Sequence, residues 1–311
     1  MKLFITGSTG FLGNNVLNYF KNSYSGDQLS IYANSKNLAE ISLLELEDLK
    51  ALNFDYIFHL AAWTQAGRFS LDHPGEEWLI NQKLNSNILE WWYKRQFKAT
   101  LVSIGTSCAY DEKSSYSESE YLKGSPHKEL FTYGMTKRML QIGIEALNLQ
   151  FQMKYLSVIP NTLFGFHYNW DKKQPHFIYD LILKSLKYKY HRSPITIWGD
   201  GSQKRELVYV EDFIRGTMEL ISKNLNGTFN ISPGIDYTII EYLEMIAKTL
   251  DIKLTSVFFD LKQITGVRRK ILNNSKFREA CPNFNFTPLD SILPKIVLDL
   301  EEKYLDFLNK K

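Results

Sequence analysis

The chain has 311 residues, a formal net charge of +3 and a mean hydropathy of -0.26, as expected for a water-soluble globular protein. The small charge gives no reason to expect a nucleic acid partner, and no apolar run approaches the roughly 18 residues of a membrane span. Two cysteines, Cys108 and Cys281, are too few to indicate a disulfide framework or a metal cluster. We therefore expect a cytoplasmic protein that binds neither metal, membrane nor nucleic acid.

Short apolar strands alternate with longer periodic helices through the first half of the chain. The predicted strands are Leu3–Thr6, Leu29–Ala33, Tyr56–Leu60, Thr100–Ile104 and Tyr155–Ile159. The first predicted helix follows the glycine-rich turn and runs through Leu17 and Phe20, and two others span Glu77–Arg95 and Thr132–Leu147. This alternation predicts an α/β protein with a Rossmann-type, doubly wound parallel sheet and right-handed crossovers.

Three glycines spaced G-x-x-G-x-x-G separate the first strand from the first helix. This placement is typical of a dinucleotide pyrophosphate site, because glycines allow a tight turn, close approach of the phosphates and packing of the helix on the sheet. The N–H groups at the helix start then face the anion. The residues expected to bind the cofactor here are Gly7, Thr9, Gly10, Phe11, Leu12 and Gly13.

The end of the second strand indicates which dinucleotide binds. An acidic residue there would hold the ribose hydroxyls of NAD. The sequence instead reads Tyr32-Ala33-Asn34-Ser35-Lys36, and Ser35 with Lys36 suits a ribose 2′-phosphate. We therefore expect NADP (as NADPH) rather than NAD, although Lys36 also fits the pattern of a solvated loop lysine.

Candidate catalytic residues occur on the third predicted helix and before it. Tyr133 and Lys137 form Y-x-x-x-K, and a spacing of four places both on one helix face. An ammonium beside a phenol lowers its pKa, which would make Tyr133 an acid or base usable near neutral pH. Thr106 follows the strand 100–104, at the sheet edge where doubly wound folds bind ligands.

The strand–helix alternation loosens after about Gly165. We expect residues 1–165 to form the dinucleotide-binding domain, with a returning segment near 205–225. Residues 166–204 and 226–311 are expected to form a smaller C-terminal α/β lobe that binds substrate. Its predicted elements include the strands Ile195–Trp198 and Phe229–Ile231 and the helix Ile239–Leu250.

Together these motifs resemble the extended short-chain dehydrogenase/reductase family of nucleotide-sugar epimerases, dehydratases and reductases. The resemblance is carried by the glycine turn, His59-Leu60-Ala61-Ala62, Thr106 four residues before Tyr110, and Tyr133 with Lys137. It implies that Tyr133 is the proton donor, that Lys137 holds the nicotinamide ribose and that Thr106 hydrogen-bonds the reacting oxygen. It also implies that Leu60, Ala61 and Ala62 contact the cofactor.

Several segments are similar to the GDP-L-fucose synthase group of that family. They are Gly105-Thr106-Ser107-Cys108-Ala109-Tyr110, Trp198-Gly199-Asp200-Gly201, Arg205-Glu206 and residues 266–272. The similarity implies reduction of the 4-keto group of a GDP-linked sugar, a 6-deoxyhexose or a heptose, and leaves open whether 3,5-epimerisation accompanies it. Ser107-Cys108 stands where 4,6-dehydratases have Asp-Glu, which argues against dehydration.

The same similarity implies an acid/base pair for epimerisation, Cys108 and His176, with His176 also near the cofactor. From residue type alone, a cysteine after a strand is also typical of a small buried hydrophobe, and a histidine at a helix start is typical of a cap. A ketone at carbon 4 acidifies the protons on carbons 3 and 5, so a thiolate or imidazole there can remove one.

The resemblance further implies a set of substrate-binding residues. Arg205 suits a nucleotide diphosphate through bidentate hydrogen bonds, whereas Lys184 also fits a solvated helix face and Trp198 also fits the core. The set is Ser107, Cys108, Asn161, Lys184, Trp198, Arg205, Arg269 and Lys270. The identity of the sugar stays open, because Asn161-Thr162 reverses the Thr-Asn order of the family and Asn273 stands where the family has an Asp.

Two other functions stay compatible with the sequence: a nucleotide-sugar 4-epimerase with tightly bound NAD, and a non-catalytic dinucleotide sensor. The family also implies a homodimer, formed by a four-helix bundle from the helices near 77–95 and 132–147. Trp91 and Trp92 on the first helix are predicted to serve either that interface or the core.

Overall fold

A computed structural model describes residues 1–24, 29–34, 39–40, 42–168, 175–263 and 265–309. The strands are β1 (Lys2–Thr6), β2 (Ser30–Asn34), β3 (Tyr56–His59), β4 (Thr100–Ile104), β5 (Tyr155–Pro160), β6 (Thr162–Phe164), β7 (Ile195–Trp198), β8 (Lys204–Arg205), β9 (Leu207–Tyr209), β10 (Gly227–Ile231), β11 (Tyr237–Thr238), β12 (Val257–Asp260) and β13 (Arg269–Lys270). The helices are α1 (Phe11–Ser23), α2 (Glu47–Lys50), α3 (Phe69–Asp72), α4 (Pro74–Arg95), α5 (Phe131–Phe151), α6 (Phe177–His191), α7 (Val210–Ser222), α8 (Ile239–Thr249), α9 (Ser275–Ala280) and α10 (Leu289–Asn309).

The central sheet has six parallel strands in the order β10-β5-β4-β3-β1-β2. This topology confirms the Rossmann-type fold predicted from the sequence. After β2 the chain returns to the other side of β1, where β3 pairs with it so that Ile5 lies opposite Phe58. The reversal leaves a crevice beyond the carboxyl ends of β1 and β3, which is where doubly wound sheets bind ligands.

One boundary predicted from the sequence needs correction at the edge of this sheet. Residues 226–311 were expected in the substrate lobe, but β10 pairs with β5, with Gly227 opposite Leu156. Phe229 and Ile231 are buried there, so the apolar strand fills the sheet edge. The returning segment therefore continues to Ile231. The division into a domain and a lobe otherwise stays a prediction.

Side chains of β1 alternate between two apolar layers, one on each face of the sheet. Leu3 and Ile5 join the larger core, while Phe4 joins the core beneath α4 and α5. Trp91 lies 4.8 Å from the Phe4 ring, and Trp92 Nε1 donates to the Ala99 carbonyl. Both tryptophans are almost fully buried, so of the two interpretations the structure favours core packing.

The rest of the chain packs against the same larger core. Helices α6, α8 and α10 contact one another, β7 pairs with β12, and β8 lies between β11 and β13. This arrangement brings β13 to the carboxyl edge of the central sheet. None of the helices in the described residues is both long and apolar enough to cross a membrane.

Candidate active site

The glycine turn packs directly against the chain that leaves β3. Gly7 has φ of +69°, and a Cβ there would lie 2.6 Å from the Ala61 nitrogen. A Cβ on Gly13 would lie 2.2 Å from the Gly7 carbonyl oxygen, so neither position accepts a side chain without movement of the backbone. The first turn of α1 carries no acidic residue. The turn is therefore shaped and charged to accept a pyrophosphate.

A chain of hydrogen bonds ties this turn to the helices behind it. The Ala61 N–H donates to Thr6 Oγ1, which lies 2.9 Å from His59 Nδ1, and His59 Nε2 lies 3.2 Å from Asn85 Oδ1. Asn85 Nδ2 then donates to the Thr136 carbonyl. Burial and the Lys137 charge lower the pKa of His59 to about 4, so the ring is neutral and links donor to acceptor. From the sequence, His59 was identified only as the first residue of the motif His59-Leu60-Ala61-Ala62.

Thr106 and Tyr133 meet at the end of β4, as their predicted roles require. The Thr106 side chain hydrogen-bonds the Tyr133 hydroxyl, and the Thr106 N–H donates to the Tyr121 hydroxyl. The hydroxyl on Thr106 also accepts from the Cys108 N–H at 3.3 Å, which starts the short turn that follows β4. Two hydroxyls and a thiol are thereby placed side by side.

The expected electrostatic effect of Lys137 on Tyr133 needs correction. Burial, with the nearby Cys108 and Tyr121, raises the pKa of Tyr133 above its usual value. Lys137 instead donates to the Ile104 carbonyl at 2.8 Å, and burial lowers its own pKa to about 8. In the protein alone Tyr133 is therefore a protonated phenol, which is the state that a proton donor needs.

Cys108 faces a lysine from a distant part of the chain. Lys270 Nζ lies 3.3 Å from Cys108 Sγ, although 162 positions separate the two residues. Burial raises the pKa of this thiol, but the Lys270 charge and hydrogen bonds with Thr106 and Ser107 outweigh burial and hold the pKa below its usual value. A cysteine in such surroundings is a more available base than an isolated buried thiol.

Asn161 lies behind the site, with its side-chain amide engaged by protein groups. Its Oδ1 accepts from Ser107 Oγ, and its Nδ2 donates to Glu206 Oε2 and to the Lys270 carbonyl. Glu206 is fully buried and also accepts from the Leu272 N–H. The structure thus places Asn161 as a link between β5 and β13, whereas the sequence suggested a substrate contact. Ser107 is likewise turned inward.

The predicted basic pair on β13 separates onto two faces of the strand. Lys270 points toward Cys108, while Arg269 is exposed and its Nε donates to Asp236 at 2.6 Å. Successive strand residues face opposite sides, so only one of the two can reach the site. The structure brings Lys270 to the predicted cluster and leaves Arg269 outside it.

Arg205 lies next to the cluster on β8, opposite Lys270 in the register of β8 and β13. Its guanidinium donates to the carbonyl oxygens of Lys204, Val267 and Thr265. Three of its five N–H donors are thus used by the protein, which leaves two for a ligand. The arginine also fixes the segment that carries Lys270.

The remaining predicted substrate residues lie on α6 and β7. His176 occupies the N-cap position of α6 without a side-chain capping hydrogen bond, and desolvation of its imidazole together with the Lys270 charge lowers its pKa. Lys184 pairs with Asp180, and its Nζ lies 5.9 Å from the centre of the Trp198 ring. His176 is therefore near enough to Lys270 to feel its charge, whereas Lys184 and Trp198 contact each other.

Gly7 packs against Leu60 and Ala61, so the glycine turn and the chain after β3 meet at the β1–β3 crevice. The predicted cofactor residues in these two segments are Gly7, Thr9, Gly10, Phe11, Leu12, Gly13, Leu60, Ala61 and Ala62. Asn81 holds the latter segment by bonding both the N–H and the carbonyl of Trp63. Ser35 and Lys36, on which the choice of NADP rested, lie outside the described residues.

Sequence reasoning missed a buried carboxyl group whose charge acts on Tyr133. Glu77, in the first turn of α4, is fully buried and accepts a hydrogen bond from Ser70 Oγ at 3.1 Å. Burial raises its pKa, and its charge in turn raises that of Tyr133. No motif marks Glu77, because a glutamate at a helix start is ordinary; only its burial distinguishes it.

Comparison with known proteins gives consistent relatives. A family model described as the NAD dependent epimerase/dehydratase family matches residues 3–232. The chain is 30% identical over 290 residues to GDP-L-colitose synthase from Yersinia pseudotuberculosis, covering 90% of this chain and 91% of that one. It is 24% identical over 292 residues to GDP-L-fucose synthase from Escherichia coli strain K12, covering 89% and 90%. The crystal structure of a GDP-L-fucose synthetase from Naegleria fowleri bound to NADP has a TM-score of 0.80 at 23% identity, covering 97% and 94%.

Proposed function

Because the chain belongs to the NAD dependent epimerase/dehydratase family, we propose that it reduces the 4-keto group of a GDP-linked sugar with NADPH and epimerises carbons 3 and 5 at the same site. One observation carries the proposal: Thr106, Tyr133 and a lysine-paired Cys108 lie together at the sheet edge that also holds the glycine turn. The names of the Yersinia and Escherichia relatives support GDP as the nucleotide.

The residues at the β1–β3 crevice fit a dinucleotide. Side-chain atoms are excluded at Gly7 and Gly13, and the start of α1 is free of acidic residues, so its N–H groups can face a pyrophosphate. When bound, NADPH supplies the hydride that carbon 4 receives. The NADP in the Naegleria fowleri structure supports this choice of cofactor.

Reduction of a ketone needs a proton for the oxygen as well as a hydride for the carbon. Tyr133 supplies that proton, since its raised pKa keeps the phenol protonated at neutral pH. Thr106, hydrogen-bonded to Tyr133, orients the same oxygen. Lys137 lies on the same helix face one turn further, where it is suited to hold the nicotinamide ribose. The product is the 4-hydroxy sugar.

Epimerisation needs one group to remove a proton from the carbon beside the ketone and another to return a proton to the opposite face. Cys108, as the thiolate, takes the proton and becomes a thiol, while the negative charge moves to the ketone oxygen held by Thr106 and Tyr133. His176, which lies near Lys270 and is neutral, donates the second proton from one ring nitrogen while its other nitrogen accepts a proton from water. Both groups are then restored by proton exchange with water.

A homodimer completes the proposal. The outer surfaces of α4 and α5 expose apolar side chains, including Leu79 at 61% and Ile142 at 45% exposure. The two helices pack closely on each other, since a Cβ on Gly143 would lie 2.6 Å from Leu89. A two-fold copy of this pair makes the four-helix bundle expected from the family. Light scattering should give twice the monomer mass, and Ile142→Glu should reduce it to the monomer.

The function is tested by incubating the enzyme with GDP-4-keto-6-deoxymannose and NADPH in deuterated water. NADPH oxidation with deuterium at carbons 3 and 5 is the expected result. Reduction without that deuterium would reject epimerisation, and no oxidation with any GDP-linked 4-keto sugar would reject the whole proposal. Tightly bound NAD in the purified protein would instead favour a 4-epimerase.

Matched cysteine variants separate the two reactions. Cys108→Ala should lose deuterium incorporation while keeping hydride transfer to a substrate that needs no epimerisation. Cys281 is fully buried in the larger core, of which Cys108 is not a part. Cys281→Ser therefore controls for loss of a thiol as such, and its incorporation of deuterium should match that of the unaltered enzyme.

A further inference from the structure

We infer that Lys270 is a positioning residue for Cys108: its ammonium holds the sulfur as a thiolate, and a buried network through Ser107, Asn161 and Glu206 keeps the lysine in place. The inference rests on the proposed function and deepens it, because it names the charge that makes the thiol a base. Lys270 is thereby given a role besides contact with substrate.

The first support is the contact itself. Lys270 Nζ and Cys108 Sγ are 3.3 Å apart, within hydrogen-bond range for sulfur. Opposite charges at such a separation favour the charged form of each group. The other hydrogen bonds of Cys108, with Thr106 and Ser107, also lower its pKa.

The second support is the way the backbone around Lys270 is anchored. Its carbonyl accepts from Asn161 Nδ2 at 3.1 Å, and the N–H of Leu272 donates to Glu206 Oε2 at 3.1 Å. Asn161 and Glu206 are joined to each other at 2.9 Å, and Asn161 also accepts from Ser107, the neighbour of Cys108. One buried network therefore fixes the segments that carry the lysine and the thiol.

This anchoring matters because a lysine side chain loses much rotational freedom when it is held. Because the backbone around Lys270 is already fixed, only the rotational freedom of its side chain is lost when the ammonium is held against the sulfur. Glu206 spans the network: Oε2 accepts from Asn161 and from Leu272, and Oε1 accepts from the Gly234 N–H. A carboxylate with both oxygens engaged in this way is suited to positioning rather than to reaction.

Other titratable groups face the pair from neighbouring elements. Arg205 on β8 adds a second positive charge near Cys108. Tyr116, Tyr121 and Tyr133 surround the thiol, and burial raises the pKa of each, so all three are neutral at pH 7. His176 lies near Lys270, and that positive charge disfavours its protonation. These groups therefore leave Lys270 as the cation in direct contact with the sulfur.

Cys281 provides an internal control for the integrity of the fold during labelling, because its fully buried sulfur should stay unmodified while the protein is folded. Burial and Glu219 raise its pKa to about 11. The two cysteines of one chain thus differ in the expected direction of their pKa, and both can be followed in the same sample by mass spectrometry of separate peptides.

The test is the pH dependence of alkylation by iodoacetamide, measured on the full-length protein without substrate. Cys108 should react with a midpoint below the roughly 8.5 of a free cysteine. Lys270→Met should move that midpoint up by about one unit or more, and Lys270→Arg should retain most of the effect. Lys204→Met, an exposed lysine on the adjacent strand β8, should change nothing.

A second measurement separates positioning from simple substrate contact. In deuterated water, Lys270→Met should lower deuterium incorporation at carbons 3 and 5 at least tenfold more than it lowers hydride transfer to a substrate that needs no epimerisation, and the loss should lessen as the pH rises. Unchanged melting temperature and NADPH affinity show that the variant folds. Equal losses in both reactions, independent of pH, would contradict the inference.

Failure of the inference and failure of the proposed function are distinguishable. If the Cys108 midpoint is the same in Lys270→Met and in the unaltered protein, the charge pairing is refuted while the proposed reaction stands. If the midpoint shifts as expected but no GDP-linked 4-keto sugar is turned over, the proposed function is refuted and the Lys270–Cys108 pairing stands.

Discussion

The two ends of the crevice at the sheet edge differ in the groups that form them: backbone at one end and side chains at the other. At the carboxyl ends of β1 and β3, the site is made of backbone, with glycines at Gly7 and Gly13 that exclude side-chain atoms. At the ends of β4 and β5, it is made of side chains, with Tyr133, Cys108 and Lys270 brought from three separate parts of the chain. A pyrophosphate is recognised by shape and N–H groups, whereas proton transfer needs titratable groups in contact.

This difference explains why the two ends respond differently to change. The backbone end depends on close packing, so a single added methyl group is enough to disturb it. The side-chain end depends on protonation states, so substitutions there should alter pH profiles and rates while the fold persists. Each of the following variants tests one end of this comparison, beginning with the largest expected effect.

Tyr133→Phe should lower turnover by about 10²–10⁴-fold, because the proton donor of the reduction is removed. Cofactor affinity should change little, since the glycine turn is untouched. Steady-state NADPH oxidation and NADPH titration by fluorescence measure the two quantities. Turnover within a few-fold of the unaltered enzyme would place the proton donor elsewhere.

His59 should make the backbone end sensitive to acid. Its folded pKa of about 4 lies below the value of 6.5 expected unfolded, so its contribution to stability is complete above pH 6.5 and is lost as the pH falls toward 4. The shift corresponds to about 3 kcal/mol of unfolding free energy. Denaturant unfolding at pH 7 and pH 4.5 measures it. His59→Gln should show a shallower decline, and parallel curves would rule out His59 as a source.

Gly13→Ala should destabilise the protein by about 1–3 kcal/mol, since its Cβ would overlap the Gly7 carbonyl at 2.2 Å. Gly10→Ala is the matched control, because a Cβ there would lie 3.3 Å from the same oxygen. We expect Gly10→Ala to keep most of the stability and to weaken NADPH binding. Thermal unfolding together with NADPH titration separates these effects, and equal destabilisation by both substitutions would argue against the close packing of Gly13.

Glu77→Gln should have the smallest effect on stability. Burial raises the pKa of Glu77, so its contribution is present below its ordinary pKa of 4.5 and is lost as the pH rises through the folded value. Glutamine keeps the shape and cannot ionise. We therefore expect unchanged or slightly higher stability at pH 7, measured by denaturant unfolding, and a lower pKa for the Tyr133 step of the reaction. A marked loss of stability would show that Glu77 is needed as a carboxylate.

The fold and the backbone end of the site could be predicted because their signals are local. Apolar periodicity indicated the strands of the sheet, and G-x-x-G-x-x-G occurs within seven neighbouring positions. The Thr106, Tyr133 and Lys137 set was likewise visible as short motifs. The one wrong expectation there, a Tyr133 pKa lowered by Lys137, depended on burial and on the direction of the lysine side chain, which spacing does not determine.

The sequence by itself therefore determined the α/β fold, the glycine turn and the residue types available for proton transfer. Only the tertiary structure decided which of Arg269 and Lys270 contacts Cys108. Alternation along a strand places the two side chains on opposite faces, and the register of β13 on β8 then determines that Lys270 is the one facing Cys108. The tertiary structure also turned Asn161 into a buried link, since a buried amide must bond the protein groups around it. These outcomes rest on contacts between residues far apart in the chain, which local patterns do not contain.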